Sequence, residues 1–145
     1  SVAERGYVII EREWHSGDRL TLTLAMPVER IVAHPNLRHN AGCTALQRGP
    51  IIYCLEVVDN GAGLANVLLP RDTRLEYRFD EELFGGVGTI TGNALRVAPG
   101  TWNNDLYQPQ ASQESEPVPF VFRAIPYCFW ANRQPGEMRV WIRES

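Results

Sequence analysis

A chain of 145 residues has room for one sizeable domain or two small β units. With 44% hydrophobic and 21% charged residues its composition is ordinary for a globular protein, and no apolar run approaches the roughly 18–20 residues that span a bilayer. The formal net charge of -3 gives no footing for nucleic acid, and all 14 basic residues are arginines scattered from Arg5 to Arg143, so neither nucleic acid nor a membrane is expected as a partner.

The first run, Tyr7-Val8-Ile9-Ile10, reads as a strand. From Leu20 to Met26 the period is two, with Leu20, Leu22, Leu24 and Met26 on one face and Thr21 and Thr23 on the other. Ser16-Gly17-Asp18 supplies turn chemistry between the two runs, which predicts a hairpin. Val28 to Ala33 is a third extended run, ended by His34-Pro35-Asn36. From Thr44 to Glu56 two apolar segments flank Gly49-Pro50, read as a bent strand or a bulge because proline cannot donate to a central ladder. Asp59-Asn60-Gly61-Ala62-Gly63 reads as a flexible loop between β units. Strand-length runs follow at Val67–Leu69, Leu75–Phe79, Gly88–Val97, Pro119–Ile125 and Met138–Ile142. Only Asp80-Glu81-Glu82-Leu83-Phe84 looks helical, for about one turn before Gly85-Gly86. The pattern predicts an all-β chain, an antiparallel β-sandwich of jelly-roll type. The last two apolar runs, joined by Asn132-Arg133-Gln134-Pro135-Gly136, are expected to pair as a C-terminal hairpin carrying Trp130 and Trp141.

Few residues suggest chemistry. His15, His34 and His39 lie in or beside turns, without the spacing that converges on a metal. Cys43, Cys54 and Cys128 cannot all pair within one chain and lack a C-x-x-C motif. Cys54 and Cys128 sit in apolar runs and read as small hydrophobes. No nucleophile elbow occurs. Gly85 to Gly92 leads into a strand and does not match a phosphate loop. Glu81 and Glu82 read as a solvated turn, although a glycosidase pair is defined by separation in space, which the sequence does not show. The polar stretch 98–117 is a long loop, a class usually functional or disordered. It carries Trp102 and Tyr107, which either contact a sugar or a partner domain or pin the loop.

Two stretches are more specific. Ala45-Leu46-Gln47-Arg48-Gly49-Pro50-Ile51-Ile52-Tyr53-Cys54-Leu55-Glu56 and Ile125-Pro126-Tyr127-Cys128-Phe129-Trp130-Ala131-Asn132-Arg133-Gln134-Pro135-Gly136-Glu137-Met138-Arg139-Val140-Trp141-Ile142 resemble segments of the β-L-arabinofuranosidase family, glycoside hydrolase family 127. Gly6 to Arg12, Met26-Pro27-Val28 and the Asp59-Asn60-Gly61 region are similar to the same family in the same order. The resemblance is weak between about Ala94 and Pro117.

The resemblance implies an (α/α)-barrel catalytic domain followed by β-sandwich domains, and places this chain in the latter. Residues 1–42 would be terminal strands of a preceding sandwich and 43–145 the C-terminal sandwich. The family's zinc, held by cysteines and a glutamate, belongs to the barrel; no catalytic residue carries over and no cofactor is expected in this segment. Cys128 stands where the family usually has tyrosine. The function expected is a non-catalytic accessory module whose partner is the barrel of the same parent chain, possible as a homo-oligomer, with exposed apolar surface in isolation. The alternative is a carbohydrate-binding module using Trp102 and Tyr107. An autonomous hydrolase would need two facing carboxylates in a cleft. Ser1 to Gly6 lacks a secretory signal, so any export signal would lie outside the chain; with no N-x-[ST] sequon, a cytoplasmic location is favoured.

Overall fold

The computed structural model describes residues 2–4, 7–98, 100, 105–109 and 116–145. At Gly49-Pro50 the chain reverses completely. Cys43–Arg48 (β4) and Ile51–Glu56 (β5) form an antiparallel hairpin with Arg48 opposite Ile51 and Leu46 opposite Tyr53. The expected bend or bulge is therefore a two-residue turn. Its first residue needs a positive φ, and Gly49 supplies +55°. Proline fits the second position because that residue needs no ladder N–H, so Gly-Pro matches the II′ hairpin pattern.

Around this hairpin the remaining strands wrap one core. Val28–Val32 (β3) pairs with β4 over its whole length and stops at a turn, where the Leu37 N–H donates to the His34 carbonyl at 2.8 Å. A single helical turn, Val57–Asn60 (α1), leaves β5 and ends at Gly61. Val67–Leu69 (β6), Glu76–Asp80 (β7), Val87–Arg96 (β8), Val118–Pro126 (β9), Met138–Arg139 (β10) and Ile142–Glu144 (β11) complete the sheet. Its order is β10-β5-β9-β8-β6-β11-β4-β3, with β7 on β8, and the β4–β5 pairing brings the path back on itself. Every pairing is antiparallel except β6 with β11. The chain is all-β, and its inward faces meet in a core that includes Leu46, Tyr53, Leu55, Ile90, Phe122 and Ile142. Burying Phe122 alone is worth about 3–5 kcal/mol against alanine.

Alternation gives the sheet a second face. On β9, Phe122 and Ala124 join the core, so Arg123 and Ile125 point the other way, beside Cys54 and Glu56 of β5. That face is covered by α1, which packs against β5 and β9.

Three further expectations are corrected. Tyr7–Ile9 (β2) pairs with Val2–Glu4 (β1) and not with Leu20–Met26, which is not a strand. The alternation is real, but a strand also needs a hydrogen-bonded neighbour, and this segment has none among the described residues; its leucines are exposed. The C-terminal hairpin does not form either. The place beside β9 is taken by β5, so β10 pairs with the other edge of β5, and β11 inserts between β4 and β6. The run from Met138 to Ile142 thus breaks into two strands because it serves different neighbours. Asp59 to Gly63, third, is no open linker: the buried Asn60 side chain donates to the carbonyls of Glu56 and Arg123 and accepts from the Arg123 N–H, each at 2.9 Å. Among the described residues no helix is long and apolar enough to cross a membrane.

Candidate functional site

The second face of β5 and β9 holds the most deeply buried ion-paired carboxylates among the described residues. Glu56 ends β5 and Asp59 follows one helical turn later, so both carboxylates meet the same guanidinium, that of Arg133. Arg133 donates to Glu56 Oε2 at 2.5 Å, to Asp59 Oδ1 at 2.8 Å through one nitrogen and to Asp59 Oδ2 through another. Arg123 continues the row, 3.9 Å from Asp59 and 2.8 Å from Asp80 Oδ2. The Glu56 and Asp59 side chains are only 5% and 8% exposed. The Arg133 guanidinium is held above its ordinary pKa, first by the hydrogen bond it donates to Asp59, against the opposing effect of burial, and then by Glu56. Such a pairing is weak evidence of net stabilisation, yet removing one partner leaves a buried charge uncompensated at a cost of about 3–5 kcal/mol.

An aromatic ledge lies over this row. Arg133 sits 5.4 Å from the centre of the Phe84 ring, which stacks on Phe129 at 4.8 Å. Phe84 and Ala131 are the two non-glycine residues with positive φ among those described, +53° and +61°. Such conformations each cost on the order of 1–3 kcal/mol and persist where their surroundings over-determine them. Here the Ala131 N–H donates to Glu56 Oε1 at 2.8 Å. Beyond it Trp130 stacks on Tyr127 at 6.0 Å, with 42% and 46% of their surfaces exposed. Glu137 completes the tie: its carboxylate accepts from the N–H groups of Leu64 and Ala65 at 3.0 and 3.2 Å, and its carbonyl from that of Val57 at 3.0 Å.

This arrangement clamps segments together. Glu56 and Asp59 share one arginine, so neither is presented to a substrate as a free acid or base. Burial pushes the Cys54 thiol up to about 12, with Glu56 adding to the effect. At neutral pH it is protonated and a poor nucleophile. Cys43 and Cys128 are also free thiols. Among the described residues no group of three or more His, Cys, Asp or Glu side chains is placed to hold a metal.

Trp102 lies outside the described residues, while Tyr107 stands 90% exposed. Trp141 is half-buried and Trp130 more open, so the two tryptophans do not share one role. Glu56, Asp59, Arg133 and Glu137 were within or beside the two quoted segments but carried no assigned role. The available signal was carboxylates at i and i+3, Glu56 inside the apolar run Cys54 to Val58 and Asp59 at its end, which demands a cation from elsewhere in the chain.

Two of the surface clefts exceed 600 Å³. One, of about 650 Å³, lies along β7, β8 and β9, where Arg123 faces Asp80 and Arg78 pairs with Glu76 at 3.0 Å. The other, of about 750 Å³, lies where β10 leads to β11.

Residues 28–143 match the glycoside hydrolase family 127 C-terminal domain. The chain is 37% identical over 134 residues to a non-reducing end β-L-arabinofuranosidase of Bifidobacterium longum subsp. longum, covering 89% of this chain and 20% of that protein. Among solved structures it is similar to Ara127N-Se, a GH127 β-L-arabinofuranosidase from Geobacillus stearothermophilus T6, with 56% identity and a TM-score of 0.72 over 83% of this chain and 19% of that one. A GH127 β-arabinofuranosidase at 26% identity superposes with a TM-score of 0.71, covering 83% of this chain and 18% of the other. The chain thus spans about a fifth of the length of these relatives.

Proposed function

The chain belongs to the glycoside hydrolase family 127 C-terminal domain family, and from that premise we propose that it is a non-catalytic accessory module of a β-L-arabinofuranosidase-like hydrolase, packing on and stabilising an (α/α)-barrel catalytic domain. One observation carries the reading. Glu56, Arg133 and Glu137, from the two segments that resemble the family most, are all engaged within the chain, tying α1, β5 and the 130–137 segment to one another. Their chemistry is spent on shape.

Two further elements belong to this proposal. Residues 1–42 include the terminal strands of a preceding sandwich, supported by β1 and β2 pairing only with each other among the described residues; β3, in the same range, hydrogen-bonds to β4. The exposed leucines at 20, 22 and 24 are contact surface for another domain or another copy, consistent with a homo-oligomeric parent. The zinc of the resembled family then belongs to the barrel.

The test compares the parent enzyme with a version lacking this module. We expect the truncated enzyme to lose soluble yield and melt lower, and the isolated chain to release nothing from a chromogenic arabinofuranoside. Release that scales with chain concentration and disappears on mutating a residue of this chain would overturn the proposal. A carbohydrate-binding role for Trp102 and Tyr107 is the second reading, favoured by the exposure of Tyr107. Loss of sugar retention in the Tyr107→Ala variant would support it.

A further inference from the structure

We propose that the cleft between the 38–40 turn and the β10–β11 crossing binds a short neutral oligosaccharide, at a site distinct from the 98–117 loop. The cleft measures about 750 Å³, within the range of small-molecule sites, and it is built from five separate parts of the chain, Cys43 of β4 among them. His39 and Asn40 come from the 3-10 turn Arg38–Asn40, Ile52 from β5, Tyr127 from the turn after β9, and Arg139 and Trp141 from the crossing.

The lining has the two chemistries a sugar ring requires. Tyr127 and Trp141 bring aromatic rings to the lining, the side-chain type that stacks on the apolar C–H face of a sugar, and Ile52 adds apolar surface. His39, Asn40 and Arg139 offer hydrogen-bonding groups to hydroxyls, and among the described residues none of these three side chains has a hydrogen bond or ion pair within the chain. Asn40 both donates and accepts through its amide, and neutral His39 does the same through its two nitrogens; a hydroxyl needs both. In the other large cleft the arginines already pair with carboxylates. Charge gives an anion no clear preference, because Glu137 shares the lining with Arg139.

The walls are held before any ligand arrives. Glu137, at the mouth of β10, is fixed by the N–H groups of Leu64 and Ala65, and β10 is paired to β5. Tyr127 is stacked on Trp130. A rim fixed in this way loses little conformational freedom on binding. The inference rests on the lining of the cleft itself.

The experiment titrates the full chain with arabinobiose, xylobiose and cellobiose, following the Trp141 indole N–H resonance, assigned by its loss in Trp141→Phe. We expect a saturable shift with at least one of these sugars. Tyr127→Ala and Arg139→Ala should each weaken it about tenfold or more, while Tyr107→Ala leaves it unchanged. Should Tyr127→Ala unfold, His39→Ala and Asn40→Ala, on the exposed turn, take its place with the same expectation. No saturable shift with any of the three sugars would overturn the proposal. So would a shift indifferent to Arg139→Ala and His39→Ala, or one abolished by Tyr107→Ala, which would place binding on the loop. Barrel stability is not part of the readout, so failure here leaves the accessory role to its own test.

Discussion

Leu20, Leu22 and Leu24 are 63%, 73% and 68% exposed, whereas Leu46, Leu55 and Leu69, drawn from similarly apolar runs, are at 1%, 0% and 0%. Composition does not separate the two groups. Leu46 stands across from Tyr53 on a strand with neighbours on both sides, while residues 20–26 have no paired strand among the described residues. Period-two alternation states which face of a segment would be buried if it were a strand. Whether it is one depends on a partner with unpaired N–H and C=O groups to offer. The same chain therefore holds a finished sheet and, ahead of it, a segment patterned for a sheet.

The largest effect that would break this contrast is expected in the ionic row. Arg133→Ala leaves Glu56 and Asp59 without their shared cation and should lower stability by about 3–5 kcal/mol, read by urea unfolding. A double-mutant cycle with Asp59→Asn should recover part of that loss, because it removes one of the stranded charges. A variant as stable as the wild type would show that the row is dispensable and the finished sheet rests on apolar packing alone.

The tryptophans come next. Trp141→Ala is expected to cost more than Trp130→Ala, since Trp141 is the more buried. Trp130, stacked on Tyr127 but 42% exposed, should cost about 1 kcal/mol, the worth of an aromatic pair. Thermal melts of the two variants decide the order. Replacing Leu20, Leu22 and Leu24 together by serine should shift stability by no more than about 0.5 kcal/mol, because exposed sites contribute little. In light scattering the same change should reduce self-association. A marked loss of stability would mean that these leucines pack within the monomer.

The smallest effect at neutral pH belongs to Cys54. Its thiol is raised in the folded chain to about 12 from the ordinary 9.0. The stability this contributes is whole below pH 9 and is lost as pH rises towards 12. Cys54→Ala should thus flatten the alkaline limb of the stability profile. In the native state a thiol reagent should label the exposed Cys128 and spare Cys54 until the chain unfolds.

The strand positions of the finished sheet were largely legible, because β3, β6, β8 and β9 are apolar runs bounded by Gly, Pro and Asn. Pairing was not. Nothing local says that Met138–Arg139 prefers β5 to β9, since that choice depends on which edge is already occupied. Gly49-Pro50 was misread because proline was weighed as a ladder breaker, when its position after glycine between two apolar runs also fits a tight hairpin. The ionic row left a fainter trace. Glu56 and Asp59 flank apolar residues, but their cation is at Arg133, more than 70 positions away along the chain. Trp102 and Tyr107 stood out for composition alone, and the described part of that loop brings Tyr107 to no partner side chain.

The insertion of β11 between β4 and β6 has a consequence for the order of folding. A chain growing from its N-terminus can zip β4 onto β5 as soon as Glu56 has emerged, since their contacts are local. The seam between β4 and β6 stays open until Ile142 arrives, and until then both carry unpaired backbone groups along their facing edges. The last strand is a keystone: it is made late, it joins partners far apart in sequence, and the nascent sheet is most prone to pair with the wrong neighbour just before it drops into place.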